Sequence, residues 1–168
     1  MSFRMITVSA LGVIASLYVL GSSAVAQDNA KQSFAQKAAL SNRFEIEAAK
    51  LALQKGKDGS AKEYAQDMID DHSKSLSELE EAAKAERVIL PLELDAENMK
   101  KLKGLSEAPA SDFDQAYLST QVVAHEDAVE LFMSYSKDGP NGMLKNYAMQ
   151  TVGTLRAHSI RIHGLTNK

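Results

Sequence analysis

Residues 60–87 read SAKEYAQDMIDDHSKSLSELEEAAKAER, and their spacing decides the fold class. Taken at steps of three and four, Ala61, Ala65, Met68, His72, Ser75 with Leu76, Leu79 and Ala82 with Ala83 share one side. That is the period of an α-helix with a single buried stripe. Ser60, followed three residues later by Glu63, suits a capping box at its start. His72 is the one stripe member with a titratable side chain.

Working outward, the breaks are few. The only prolines are Pro91, Pro109 and Pro140, and Gly56, Gly59, Gly104, Gly139 and Gly142 lie in or beside the same breaks. Proline is costly inside a helix, so the stretches between these residues are where long helices lie. Four result, at about 31–55, 60–87, 111–137 and 142–164. Ser111 with Asp112 and Asp114 suits the acidic start of the third. Asp138-Gly139-Pro140-Asn141-Gly142 separates the third from the fourth. The turn from Gly56 to Gly59 is short and makes the first two helices antiparallel neighbours. The connection from about 88 to 110 is long enough to recross the bundle, and Asp95 to Leu102 suits a short extra helix within it. The expectation is all-α: a ferritin-like four-helix bundle with a long connection between helices two and three.

Composition agrees. The chain has 168 residues, 45% hydrophobic and 24% charged, with only 6% aromatic residues and no Trp. That balance argues against a β-sandwich or barrel. A net charge of −3 without a long basic run removes the footprint of a nucleic-acid binder. The absence of Cys removes disulfides, thiol nucleophiles and Cys-ligated metals.

Residues 1–26, MSFRMITVSALGVIASLYVLGSSAVA, have the three parts of a secretory signal. Arg4 is the only charge, Met5 to Leu20 form an apolar core, and Ala24-Val25-Ala26 offers small residues before a cut at Gln27. An uncleaved anchor is the alternative, but the apolar core falls short of the roughly 20 residues that span a bilayer. Residues 27–168 are then one mature domain with no membrane span, and the expected compartment is the periplasm.

The other helices carry stripes of their own. The first aligns Phe34, Ala38, Ser41, Glu45, Ala48 and Ala52; the third Leu118, Gln121, His125, Ala128 and Phe132; the fourth Leu144, Ala148, Thr151, Leu155, His158, Ile162 and Leu165. Each stripe thus holds one group able to bind a metal or a proton: Glu45, His72, His125 and His158. Each lies near mid-helix, so their heights agree within roughly 6–8 Å. His163 stands one position off its stripe. A single His on an apolar face is ordinarily a hydrogen-bonded core residue. Three imidazoles and a carboxylate in one buried layer are costly unless something pairs them.

A His-rich set suits Zn, Cu or a single Fe. The residues three before the histidines are Ile69, Val122, Leu155 and Ile160, so the Glu-x-x-His pairs of di-iron bundles are missing. Haem stays open, since two facing histidines can supply axial ligands, although no Cys-x-x-Cys-His exists for covalent attachment. No Gly-x-Ser-x-Gly, phosphate-binding Gly-rich loop or His-Glu-x-x-His occurs. Asp71 can reach the rim of the site or solvate the surface, and the surface reading is preferred; Tyr64, Tyr117 and Tyr147 are read as core residues with hydroxyls at the stripe edges.

These residues resemble the DUF4142 family of exported bacterial proteins. The resemblance rests on Phe34, Phe44-Glu45-Ile46-Glu47, Met68-Ile69-Asp70-Asp71-His72 and Val88-Ile89-Leu90-Pro91. It continues in Phe113-Asp114-Gln115-Ala116-Tyr117-Leu118, Val123-Ala124-His125-Glu126 and Leu155-Arg156-Ala157-His158. Gly153 departs from the family, which usually has Pro there. The resemblance implies a ferritin-like bundle in the cell envelope and no settled activity. Three functions follow as expectations: a metal-binding bundle with a metal-handling or stress role, a mononuclear metal-dependent enzyme, or a structural or partner-binding envelope protein whose polar layer fixes helix register.

Overall fold

With no proline before Pro91, nothing in the backbone forces the first helix to end before the glycine turn at Gly56. The computed structural model describes residues 14–167, and α1 spans Ile14–Lys55. It starts well before the expected residue 31. Among the side chains described, which start at residue 24, burial begins near that point: residues 24–30 are exposed, and Phe34 and Ala35 are the first buried. Arg4 and the start of the apolar run lie outside the described residues.

The remaining helices are α2 (Gly59–Ala85), α3 (Ala96–Ser106), α4 (Phe113–Asp138) and α5 (Met143–Thr166). Among the described residues there is no strand, and no helix is long and apolar enough to cross a membrane. The fold is all-α. The short extra helix forms and runs on to Ser106.

Two caps differ from expectation. The Asp58 carboxylate, not the Ser60 hydroxyl, accepts from the Ala61 amide at 2.8 Å and starts α2. The first α4 residue is Phe113, and no side chain caps it locally. Asp114 instead accepts the Lys57 and Asp58 amides at 3.0 Å, tying the start of α4 to the α1–α2 turn.

These contacts set the topology. Lys31 pairs with Glu86 at 2.8 Å, and the other oxygen of Glu86 accepts the Leu144 amide at 2.7 Å. One end of the molecule therefore collects the outset of the packed part of α1, the end of α2 and the beginning of α5. The other end collects the α1–α2 turn and the beginning of α4. The segment between α2 and α4 must traverse the full length, and it carries α3 across α1 and α4. Around the core, α1 packs on α2 and α4, and α5 packs on the same two.

The core is divided in two. One cluster holds Phe34, Leu79, Phe132, Tyr135, Leu144, Tyr147 and Leu155, with the Phe34 and Tyr135 rings stacked at 3.9 Å. The other holds Phe44, Tyr64, Met68, Leu105, Phe113, Tyr117 and Ile162. Each large side chain so buried contributes about 1.5–3 kcal/mol. Between the clusters lie the buried polar side chains Asn42, Glu45, His72, Gln121, His125 and His158.

Candidate metal centre

Helical spacing brings the three rings to one level from three helices. Met68, His72 and Leu79 place His72 on the inner face of α2; Leu118, Gln121, His125 and Ala128 do the same in α4; Leu155, His158 and Ile162 in α5. The ring centroids are 5.3 Å apart for His125–His158 and 5.6 Å for the two pairs involving His72. One ring nitrogen of each lies within 4.8 Å of those of the other two.

In every ring the second nitrogen is held from outside. His72 Nδ1 meets Asn42 Oδ1 at 2.8 Å, while the Asn42 amide nitrogen donates to the Tyr147 hydroxyl at 3.2 Å. The Tyr147 hydroxyl in turn meets Ser75 Oγ at 2.7 Å. His125 Nδ1 faces the Gln121 carbonyl at 3.1 Å and the Tyr64 hydroxyl at 3.4 Å. His158 Nε2 faces the Asp71 carboxylate at 2.9 Å. These partners assign the tautomers: an amide oxygen, a backbone carbonyl and a carboxylate all accept, so the nitrogen facing each carries the proton. His72 Nε2, His125 Nε2 and His158 Nδ1 are left as buried lone pairs without a partner. Three buried acceptors within one small space demand a cation or shared protons.

Glu45 lies elsewhere in the layer. Its Oε1 is 3.9 Å from His125 Nδ1, the outward edge of that ring, and both side chains are 1% exposed. It is not one of the three residues whose ligand atoms converge. Neither of its oxygens has a hydrogen-bond partner, and the same holds for the Gln121 amide and the Tyr117 hydroxyl. Burial pushes the Glu45 carboxyl up to about 8, and the Gln121 amide beside it offsets part of that rise. Burial also drives His125 down to about 4, with the neighbouring His158 adding to it. His72 falls well below its ordinary value for the same reasons.

Two further side chains hold the rings from outside, one of them named by the sequence and one not. Asp71 does both things the sequence allowed: it is half exposed, and it reaches the rim of the site to hold His158. Asn42, one turn before Glu45, was not singled out; a polar residue at the edge of a helix stripe gives no sign that it will be buried. His163 is half-buried and meets Glu126 at 3.1 Å, away from the triad.

A family model described as a domain of unknown function (DUF4142) matches residues 20–165. No curated protein matches the chain. A solved structure, the crystal structure of a DUF305 fragment from Deinococcus radiodurans, is similar in fold. Its TM-score is 0.71 at 16% identity, over 82% of this chain and 95% of that one.

Proposed function

The chain belongs to the DUF4142 family, and from that premise we propose that it is an exported metal-handling protein. It holds one transition-metal ion between His72, His125 and His158 inside a ferritin-like four-helix bundle. The carrying observations are that one nitrogen of each ring lies within 4.8 Å of those of the other two, and that every ring has one buried nitrogen without a partner while an acceptor fixes the other. Histidine ligands are ordinarily oriented in this way by their surroundings. The full-length recrossing between α2 and α4 speaks for the ferritin-like topology.

Three neutral nitrogen donors without thiolate or carboxylate favour zinc or copper over iron. The edge-to-face meeting of the rings favours a bare ion over a haem. Glu45, behind His125, is a nearby buried carboxyl rather than a ligand. The exposure of residues 24–30 outside the packed body supports a removable leader, cut at Gln27 and delivering the domain to the periplasm.

Titration of chelator-treated protein with zinc tests the site. One equivalent should bind, and His72→Ala, His125→Ala and His158→Ala should each weaken binding at least tenfold, with His163→Ala unchanged. Equal affinity in His125→Ala and His163→Ala would show that the polar layer only fixes register. Export is tested apart: mass spectrometry of protein from the native envelope should give an N-terminus at Gln27, and retention of Met1 in the membrane fraction would refute the leader.

A further inference from the structure

The three histidines differ in how far each is shut off from solvent. His72 is held by Asn42, which is itself buried, and His125 by a carbonyl inside α4. His158 alone is held by an exposed group: Asp71 is 49% exposed, and the His158 side chain, at 9%, still reaches the surface. Asn42, Tyr147 and Ser75 form a bonded chain behind His72. Glu126 and His163 pair across α4 and α5. One turn from Asp71 in the same α2–α5 seam, Arg161 pairs with Asp67 and sits 5.5 Å above the Tyr64 ring, so the seam is bridged there by a charge pair and at His158 only by the exposed Asp71.

The charges beside His158 are also uneven. Asp67, Asp70 and Asp71 lie together on α2, against Arg161, which Asp67 occupies, and Lys74, which lies 3.9 Å from Glu78. A patch of this sign raises the local concentration of cations. The acidic cluster alone would say little. What gives it a destination is His158 Nδ1, a buried nitrogen without a partner on the inner edge of the ring whose outer edge Asp71 holds.

We infer that metal enters and leaves through the seam between α2 and α5, with Asp71 as the carboxylate that first takes the cation and passes it to His158. This rests on the triad being the metal site. An exposed carboxylate swings on the picosecond-to-nanosecond scale, and its departure breaks only one hydrogen bond. That frees the His158 ring to turn its lone pair outward and back. Asp71 is thus both a positioning residue for His158 and the port for the ion.

The two roles separate kinetically. Asp71→Asn keeps an oxygen to accept from His158 Nε2 but removes the charge. Stopped-flow mixing of apo-protein with cobalt(II), followed by its visible absorption, gives the association and release rates. In Asp71→Asn the association rate should fall about tenfold at low salt, with release within about threefold of wild type. Added salt should slow the wild type more than the variant. Asn42→Ala, which loosens His72 without touching Asp71, should instead act mainly through faster release. An Asp71→Asn protein that loads at the wild-type rate, or differs only by faster release, overturns the port while leaving the metal site in place. Wild-type protein that takes up no cobalt overturns both.

Discussion

A histidine becomes a good ligand when something else holds its second nitrogen, and here each holder is a different kind of group. Asn42 is the most constrained, because its oxygen faces His72 and its nitrogen faces Tyr147. Asn42→Ala leaves a buried N–H on His72 and a hydroxyl on Tyr147 short of partners. Removing one member of a buried hydrogen-bonded set costs about 1–3 kcal/mol, and losing such an orienting group lowers metal affinity about 10–100-fold. Urea unfolding and zinc titration of the same variant should show both losses; an unchanged affinity would mean that His72 orients itself. The sequence made the histidines legible because three of them sit at matching mid-helix heights on apolar stripes, where one alone would be an ordinary core residue. Asn42 was not legible, and Asp71 was legible only as one of two readings, for the opposite reason. Asn42 borders its stripe, and Asp71 sits about 100° around the helix from His72, so only the approach of α5 decides that it meets His158.

At the level of elements, helix existence was readable from proline and glycine positions, whereas the ends depended on long-range partners. Asp114 belongs to α4 yet closes the turn between α1 and α2, and Glu86 follows α2 yet caps α5. No local pattern announces bonds across more than fifty residues. The end of α2 shows a further cost. Arg87 adopts φ 58°, a left-handed conformation, so that the Val88 amide can reach the Ala83 carbonyl at 2.9 Å. This is the closing arrangement that helices usually reserve for glycine. A side chain there costs roughly 1–2 kcal/mol, of which glycine's greater freedom in the unfolded chain cancels about half. Arg87→Gly should therefore stabilise the protein by about 0.5–1 kcal/mol, read as a higher urea midpoint at an unchanged slope. A lower midpoint would mean that the Arg87 side chain makes contacts worth more than the backbone strain.

For the whole molecule, the polar layer makes metal-free stability depend on pH in two opposed ways. Burial holds Glu45 up to about 8 against an ordinary 4.5, so above 4.5 the folded state keeps a proton that the unfolded chain has released. That contribution is complete below 4.5 and is lost as pH rises towards 8, at about 1.4 kcal/mol per pH unit. His125, at about 4, and His72 behave in reverse, since their ordinary value is 6.5. Their contribution is complete above 6.5 and declines as pH falls below it, because the unfolded chain then takes up protons that the folded one refuses. Two histidines outweigh one carboxyl below 6.5, and the carboxyl acts alone above it. The layer's contribution to apo-protein stability should therefore peak near pH 6.5. Glu45→Gln isolates the carboxyl, because it keeps the shape and cannot ionise. With chelator present, urea midpoints from about pH 5 to 8 should show wild type losing ground to Glu45→Gln steadily as pH rises. Parallel profiles for the two proteins would mean that Glu45 is already ionised in the folded layer. Saturating zinc should lift the wild-type curve across this whole range, since the ion binds neutral imidazoles and burial already keeps His72 and His125 neutral in the folded layer.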